Sequence, residues 1–213
     1  MNQVFESLPQ DKKQKIIDAC IAEFAANGYD RASTNAIVQN AGISKGALFY
    51  YFGSKKDLFL YIFNYSIEKL MKYYYKVKDM QPADAIERLT WYTKLKLKVF
   101  LKEPVMSKLI VDTVTNMPEE LRVELEDMVR GMYATYLPMM MGNIDDSNFR
   151  EGVDKKRAVE IISIFIDGYT EKYLKAARKL SYEAVINDLD NIMDEYYKYL
   201  EILKYGIYKS PQT

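Results

Sequence analysis

Histidine is absent from this 213-residue chain, and cysteine occurs once, as Cys20. Without histidine there is no Ser-His-Asp triad and no HExxH zinc site, and one cysteine permits neither an internal disulfide nor a CxxC cluster. No Asp/Glu cluster has the spacing of a cation-binding loop, so no metal and no cofactor is expected. No nucleophile–base pair and no glycine-rich phosphate loop is found either, which argues against an enzyme. The apolar runs are too short to cross a bilayer, and the first residues, MNQVFESLPQDKKQ, lack the apolar core of a signal peptide. A cytoplasmic protein without a membrane role is expected. Glycine and proline are scarce, at nine and six residues, while 49% of the chain is hydrophobic. That leaves ample material for a core and little for a turn-rich β architecture.

What is present is helical periodicity. Across residues 12–27, Ile16, Cys20 and Phe24 form one row and Ile17, Ile21 and Ala25 the next, a single inner face on which Cys20 reads as packing. Asn27-Gly28 ends that helix as a left-handed cap. Ser33 or Thr34 caps a second helix with Ala36, Ile37 and Ala41 on its inner side. Gly42 supplies a positive-φ turn, and Ser44 caps a helix of about two turns, 45–51. Ser54 with Asp57 approximates a capping box, opening a long helix over 55–77. Met80-Gln81-Pro82 marks a boundary, beyond which helices are expected over 84–102, 105–117, 119–141, 155–180 and 182–205. Pro138 is expected to kink or shorten the third of these. The fold class is therefore all-α, with about nine helices: residues 1–54 as one domain, 55–77 as a connecting helix, and 78–213 as a second domain.

Two helices joined at Ala41-Gly42-Ile43, the second short and aromatic, form a helix-turn-helix pattern, the arrangement that sends its second helix into a DNA major groove. The formal net charge is zero, from thirty basic and thirty acidic side chains. A DNA reader needs positive charge only where phosphates lie, and between Ser44 and Lys56 the charged residues are Lys45, Lys55 and Lys56, with no acid.

Residues 28–59 resemble the DNA-binding domain of the TetR family of bacterial transcriptional regulators. The match runs through Gly28, Tyr29, Ser33, Thr34, Ile37, Ala41, Gly42, Ile43, Ser44, Gly46, Leu48, Tyr51, Phe52, Lys55 and Leu58. The resemblance implies DNA-contact positions at Thr34, Ser44, Lys45, Gly46, Ala47, Tyr50, Tyr51 and Lys55. The chemistry of these residues agrees. Lys45 reaches guanine edges or a phosphate, Gly46 allows close backbone approach, and Ala47 offers a methyl to thymine. Thr34, Ser44 and Tyr50 can donate hydroxyls to phosphate oxygens, and Lys55 would neutralise a flanking phosphate. Leu48, Phe52 and Leu58 read as core. Phe49 departs from the family pattern, which usually has tyrosine there, so one phosphate-directed hydroxyl is missing, worth about 1 kcal/mol.

The second domain resembles the family's sensor only in its all-helical architecture. Its aromatic and methionine content suggests an adaptable cavity for a small-molecule effector, with Trp91, Tyr92, Met106, Asp112, Tyr133, Tyr136, Phe165 and Tyr169 as candidate lining. Asp112 and Asp167 are the charged residues set in apolar rows, suited to a cationic group if buried. The stripes Val159, Ile162, Ile166, Tyr169, Tyr173 and Val185, Leu189, Ile192, Tyr196, Leu200, Leu203 predict a homodimer through the last two long helices. The expected partners are thus a palindromic double-stranded operator, an effector and a second copy, with helix 55–77 as the lever between head and sensor. The function expected is ligand-responsive transcriptional regulation, most simply repression. The alternative is an all-helical small-molecule-binding protein that keeps the turn motif as scaffold.

Overall fold

The computed structural model describes residues 3–177 and 189–207. Among them every regular element is helical, and a single isolated bridge pairs Asp84 with Asp145. The helices are α1 (Gln3–Glu6), α2 (Gln10–Arg31), α3 (Thr34–Ala41), α4 (Lys45–Phe52) and α5 (Lys55–Tyr75), then α6 (Ala85–Lys102), α7 (Pro104–Thr115), α8 (Arg122–Met141), α9 (Lys155–Ala177) and α10 (Leu189–Ile207). Short 3₁₀ turns at Lys78–Met80 and Glu119–Leu121 precede α6 and α8. The expected helix over 119–141 therefore begins as 3₁₀ and becomes α-helical at Arg122. It runs through Pro138, which has no N–H to give the Ala134 carbonyl; the break falls three residues before the helix ends, so little helix remains beyond it. Residues 178–188, over which two helices were expected to end and begin, lie outside the described residues. So do the side chains of Asp167, Tyr173, Val185 and Leu189.

Gly28 differs from expectation in detail. Its φ of 68° is positive, but its ψ of 176° is extended rather than left-handed helical, and the helix resumes for one more turn to Arg31. A second feature was not expected at all. The four-residue α1 places Phe5 against α4 and α5, where it is 1% exposed.

The chain divides into two compact units. One holds Met1–Lys76 and Lys102–Met140; the other holds Val77–Leu101 and Met141–Thr213. The division does not follow the linear boundary near residues 54–78, because α7 packs against α2 and α5 and joins the first unit. That unit is centred on Ile16, Cys20 and Phe24 of α2, Ile37 of α3, Leu48 of α4, and Leu58, Phe59, Ile62 and Phe63 of α5, with Met106 and Leu109 of α7 also buried. Phe24 meets Phe59 edge-on at 4.9 Å. Charged links reinforce the apolar contacts. Lys108 of α7 donates to the Ala25 carbonyl at 2.6 Å, near the Gly28 break, and Lys69 of α5 pairs with Glu103 at 3.1 Å. A cation at Ala25 suits the negative end of a helix dipole.

The second unit gathers Ile86 and Leu89 of α6, Ile162, Ile166 and Tyr169 of α9, and Tyr196 and Leu200 of α10 around Ile144 and Phe149. Arg88, 3% exposed, donates to the carbonyls of Pro82, Gly142 and Asn143. Its guanidinium fork thereby ties the segment before α6 to the segment after α8. Tyr196 shares a hydrogen bond of 3.2 Å with Thr90, and burial pushes its hydroxyl up to about 12.

Candidate nucleic-acid interface

Serine caps set the geometry of the reading head. The Ser33 hydroxyl accepts the Ala36 N–H at 3.3 Å, and the Ser33 N–H donates to the Glu23 carboxylate at 2.8 Å, fixing where α3 leaves α2. Gly42 ends α3 at φ 67°, ψ 38°, and the Ile43 N–H closes back on the Val38 carbonyl at 3.1 Å, a Schellman-type stop. Ser44 then caps α4 by accepting the Ala47 N–H at 3.1 Å. Gly53, at φ 76°, ends α4, and Ser54 caps α5 through the Asp57 N–H at 3.0 Å. Each helix start leaves backbone N–H groups with no partner inside the helix, favourable surroundings for phosphate oxygens.

The structure brings Ser44, Lys45, Gly46 and Ala47 together on the first turn of α4. Ser44, Lys45 and Gly46 are exposed and Ala47 is half-buried. Gly46 is the informative member. Its φ is not in the left-handed region, and a Cβ built there would meet nothing nearer than the Ser44 hydroxyl at 4.0 Å. Inside a helix, glycine is worse than alanine by about 1 kcal/mol. The fold gains nothing from glycine at this position, so its use lies in something that approaches the backbone from outside. Tyr50, 64% exposed, projects from the same helix, and Thr34, first residue of α3, is half-buried.

Two positions carried over by resemblance serve the fold first. Tyr51 is 9% exposed, its ring packed at 5.7 Å from Phe5 and 6.4 Å from Phe52, so any phosphate contact is left to its hydroxyl. Lys55 does not stretch freely from α5. Its Nζ donates to the Asp30 carbonyl at 3.1 Å and sits 5.0 Å from the centre of the Tyr29 ring, holding the end of α2 to the start of α5.

Other residues were missed by sequence reasoning. Lys15, exposed on α2, carries its Nζ over the turn, 3.5 Å from where a Gly42 Cβ would stand. Its place on the polar side of the α2 pattern could have marked it. Phe5, Phe49, Tyr50, Leu60 and Tyr61 line an open groove of about 550 Å³ beside the end of α4, with Glu6 and Asp57 at its edge. Phe49 thus turns its ring to this groove. Glu6 accepts from Lys13 and Tyr61, both at 2.9 Å, and the Lys13 bond chiefly holds its carboxyl below the usual range.

The sensor candidates divide between the units. Trp91 and Tyr92 stand ring to ring at 5.0 Å in the second unit, where Tyr92 donates to Gln81 at 2.8 Å. Phe165 and Tyr169 join Tyr196 and Tyr199 in an aromatic cluster of the same unit. Met106, Asp112, Tyr133 and Tyr136 belong to the first unit. Three of these depart from expectation. Met106 is buried in a helix that packs on α2, and Tyr133 is exposed on α8. Asp112 is half-buried and pairs with Lys108 one turn earlier, so it is not a lone carboxylate in an apolar wall. Among the described residues no group of His, Cys, Asp or Glu is placed to hold a metal, and no helix is long and apolar enough to cross a membrane.

A short helix, capped at its exposed end, set behind a glycine turn and braced by a third helix, defines a DNA-reading helix-turn-helix protein. Comparison with known proteins carries this further. The model of the bacterial regulatory proteins of the tetR family matches residues 16–62, from the core of α2 into α5. Residues 16–62 are thus a TetR-type DNA-binding domain.

Relatives span nearly the whole chain. A fatty acid metabolism regulator protein of Bacillus subtilis is 24% identical over 203 residues, covering 92% of this chain and 96% of its own. The biofilm operon negative transcriptional regulator IcaR of Staphylococcus aureus is 26% identical over 196 residues, covering 89% and 97%. The fold also matches a TetR family regulator from Chloroflexus aurantiacus, with a TM-score of 0.69, 21% identity and coverage of 98% and 99%. FadR of Bacillus subtilis, solved with stearoyl-CoA, matches at a TM-score of 0.55 and 21% identity, covering 82% of this chain and 94% of its own.

Proposed function

We propose that this protein represses transcription by binding a palindromic operator as a homodimer, and that a small molecule in its C-terminal region controls that binding. The observation that carries the reading is the first turn of α4: an exposed lysine and a glycine the fold does not need, behind a serine cap. Residues 1–54 read DNA, 55–77 connect, and 78–213 sense and dimerise. Thr34, Ser44, Lys45, Gly46, Ala47 and Tyr50 contact the operator, Lys15 adds a phosphate contact near the turn, and Tyr51 and Lys55 chiefly hold the head in shape. The protein acts in the cytoplasm and is not an enzyme.

Dimerisation is supported by apolar side chains that the monomer leaves in water. Ile164 of α9 is 66% exposed and Ile202 of α10 is 72% exposed, with Ile161 and Tyr205 beside them in sequence spacing. The effector class to test first is a long acyl chain. It is supported by the relative that regulates fatty acid metabolism and by the fold neighbour solved with stearoyl-CoA. Trp91, Tyr92, Phe165 and Tyr169 are the lining residues proposed for it.

The test is selection of bound duplexes from a random pool, with affinity measured across a salt series and with or without stearoyl-CoA. An inverted-repeat consensus, a falling affinity with salt and release by the acyl-CoA are expected. Enrichment of no sequence would refute operator reading, and indifference to acyl-CoA would refute that effector class. Light scattering at micromolar concentration is expected to give a dimer.

A further inference from the structure

Resting on the reading of α4 as a DNA reader, we propose that Glu124 masks a latent phosphate contact, Lys56, and thereby sets the affinity of the head. Lys56 stands in the first turn of α5, one residue after Lys55 and two after the Ser54 cap. Its position beside the backbone N–H groups of that helix start places it where a flanking phosphate would be met. In the structure it turns instead to α8, where its Nζ lies 2.6 Å from the Glu124 carboxylate. This pair is the reason the Lys56 ammonium is raised above its ordinary value and the Glu124 carboxyl is lowered. A second acid from the same segment grips the head nearby. Glu120 accepts the Tyr29 hydroxyl at 3.1 Å, and Tyr29 in turn lies under Lys55. All of these residues belong to the first compact unit.

The chemistry of the mask is that of the ligand it displaces. A carboxylate held against Lys56 presents an anionic oxygen to the ammonium, as a phosphate would. Lys56 cannot give full strength to both, because the contact with DNA draws its affinity from the charge it neutralises. Both members of the pair are partly exposed, near 36% and 40% of their side chains, so the link is exchangeable rather than a buried anchor. Asp57, also in the first turn of α5, is bound by the Ser54 hydroxyl and does not replace Glu124 as the partner.

The experiment measures the slope of log affinity against log salt on a short mixed-sequence duplex, with melting temperatures alongside. Glu124→Gln is expected to steepen the slope by about 0.9 per head and to tighten binding on the order of five- to tenfold per head near 0.1 M salt, the signature of one added phosphate contact. Its melting temperature is expected to stay near that of the parent. The double variant Glu124→Gln with Lys56→Gln is expected to return to the parent slope. Glu126→Gln, which removes the same charge from α8 without freeing Lys56, is expected to leave the slope where it was. An unchanged slope in Glu124→Gln overturns the mask. So does a steeper slope that survives in the double variant or appears equally in Glu126→Gln, because the gain would then be general charge. Absence of salt-dependent binding in parent and variants alike refutes DNA reading itself, and the mask with it; a parent that binds normally beside an unaltered Glu124→Gln refutes the mask alone.

Discussion

Replacing Phe5 by alanine tests whether the amino-terminal turn braces the reading helix. The Phe5 ring is 1% exposed and meets Phe52 at 4.6 Å, Tyr61 at 5.5 Å and Tyr51 at 5.7 Å. Burying such a side chain contributes about 1.5–3 kcal/mol, and well-placed ring pairs add about 0.5–1.5 kcal/mol beyond area. A core Phe→Ala change costs about 3–5 kcal/mol where the surroundings cannot relax. Here they can: α1 is only four residues long, so it can peel away once its anchor is lost. The loss is therefore capped near the docking energy of the arm, about 2–3 kcal/mol. Phe5→Leu, which keeps an apolar plug, is expected to retain more than half of it.

Thermal melting of parent and variant reads the stability, and a salt series on selected operator DNA reads the function. Losing the plug exposes Tyr51 and Phe52 and loosens the end of α4, so affinity is expected to fall several-fold. The salt slope is expected to stay constant, because no phosphate contact has been removed. A Phe5→Ala protein that melts within a degree of the parent would show that the arm does not brace the head. A changed slope would show that Phe5 acts through charge placement instead.

Three further outcomes follow from single sites. Gly46→Ala is expected to stabilise the fold by about 0.5–1 kcal/mol and to weaken operator binding; a variant that binds as well as the parent would remove the close-approach argument. The Cys20 thiol is fully buried and burial pushes it up to about 12, so alkylation in the native protein at pH 8 is expected to proceed only through unfolding, with its rate rising in step with added denaturant. Glu6 has a carboxyl lowered below its ordinary value of 4.5. Its contribution is thus present above 4.5 and lost as pH falls through the lower folded value. Amide exchange in residues 3–8 is expected to accelerate in that window, and Glu6→Gln is expected to abolish the pH dependence.

The reading head was legible because its determinants are local. Ser33, Ser44 and Ser54 announce helix starts through side chains that bond three residues ahead, and Gly42 announces a backbone conformation. The inner face of α2 follows from its period alone. What could not be read depends on distant partners. Phe5 is buried by rings 46 or more residues away, and a four-residue helix is too short to show a period. Lys55 finds a backbone carbonyl at Asp30, and no side-chain pattern signals a carbonyl acceptor. That α7 packs against α2 depends on a tertiary choice among several amphipathic helices of similar pattern. Asp112 is a different case: Lys108 lies four residues before it, a spacing at which the pair could have been anticipated.

The zero net charge acquires a specific meaning once the cations of the head are traced. Lys13 is held by Glu6, Lys55 by Asp30 and the Tyr29 ring, Lys56 by Glu124, and Arg31 by the Asn27 carbonyl at 3.4 Å. Lys15 and Lys45 remain exposed around the turn and the start of α4. A head that commits most of its positive charge to its own structure is expected to have a shallow phosphate term, so that one copy alone would bind DNA weakly and with a small salt slope. Pairing two such heads makes the second contact intramolecular, and the affinities then multiply rather than add. Low charge per head thus shifts the burden of recognition onto the spacing of two heads. That spacing is what a dimer interface can adjust, and a more basic head would cling to DNA whatever the spacing. Adding charge by substitution at Asn40 or Gln39, both exposed on α3, would therefore strengthen binding while reducing the difference between bound and released states.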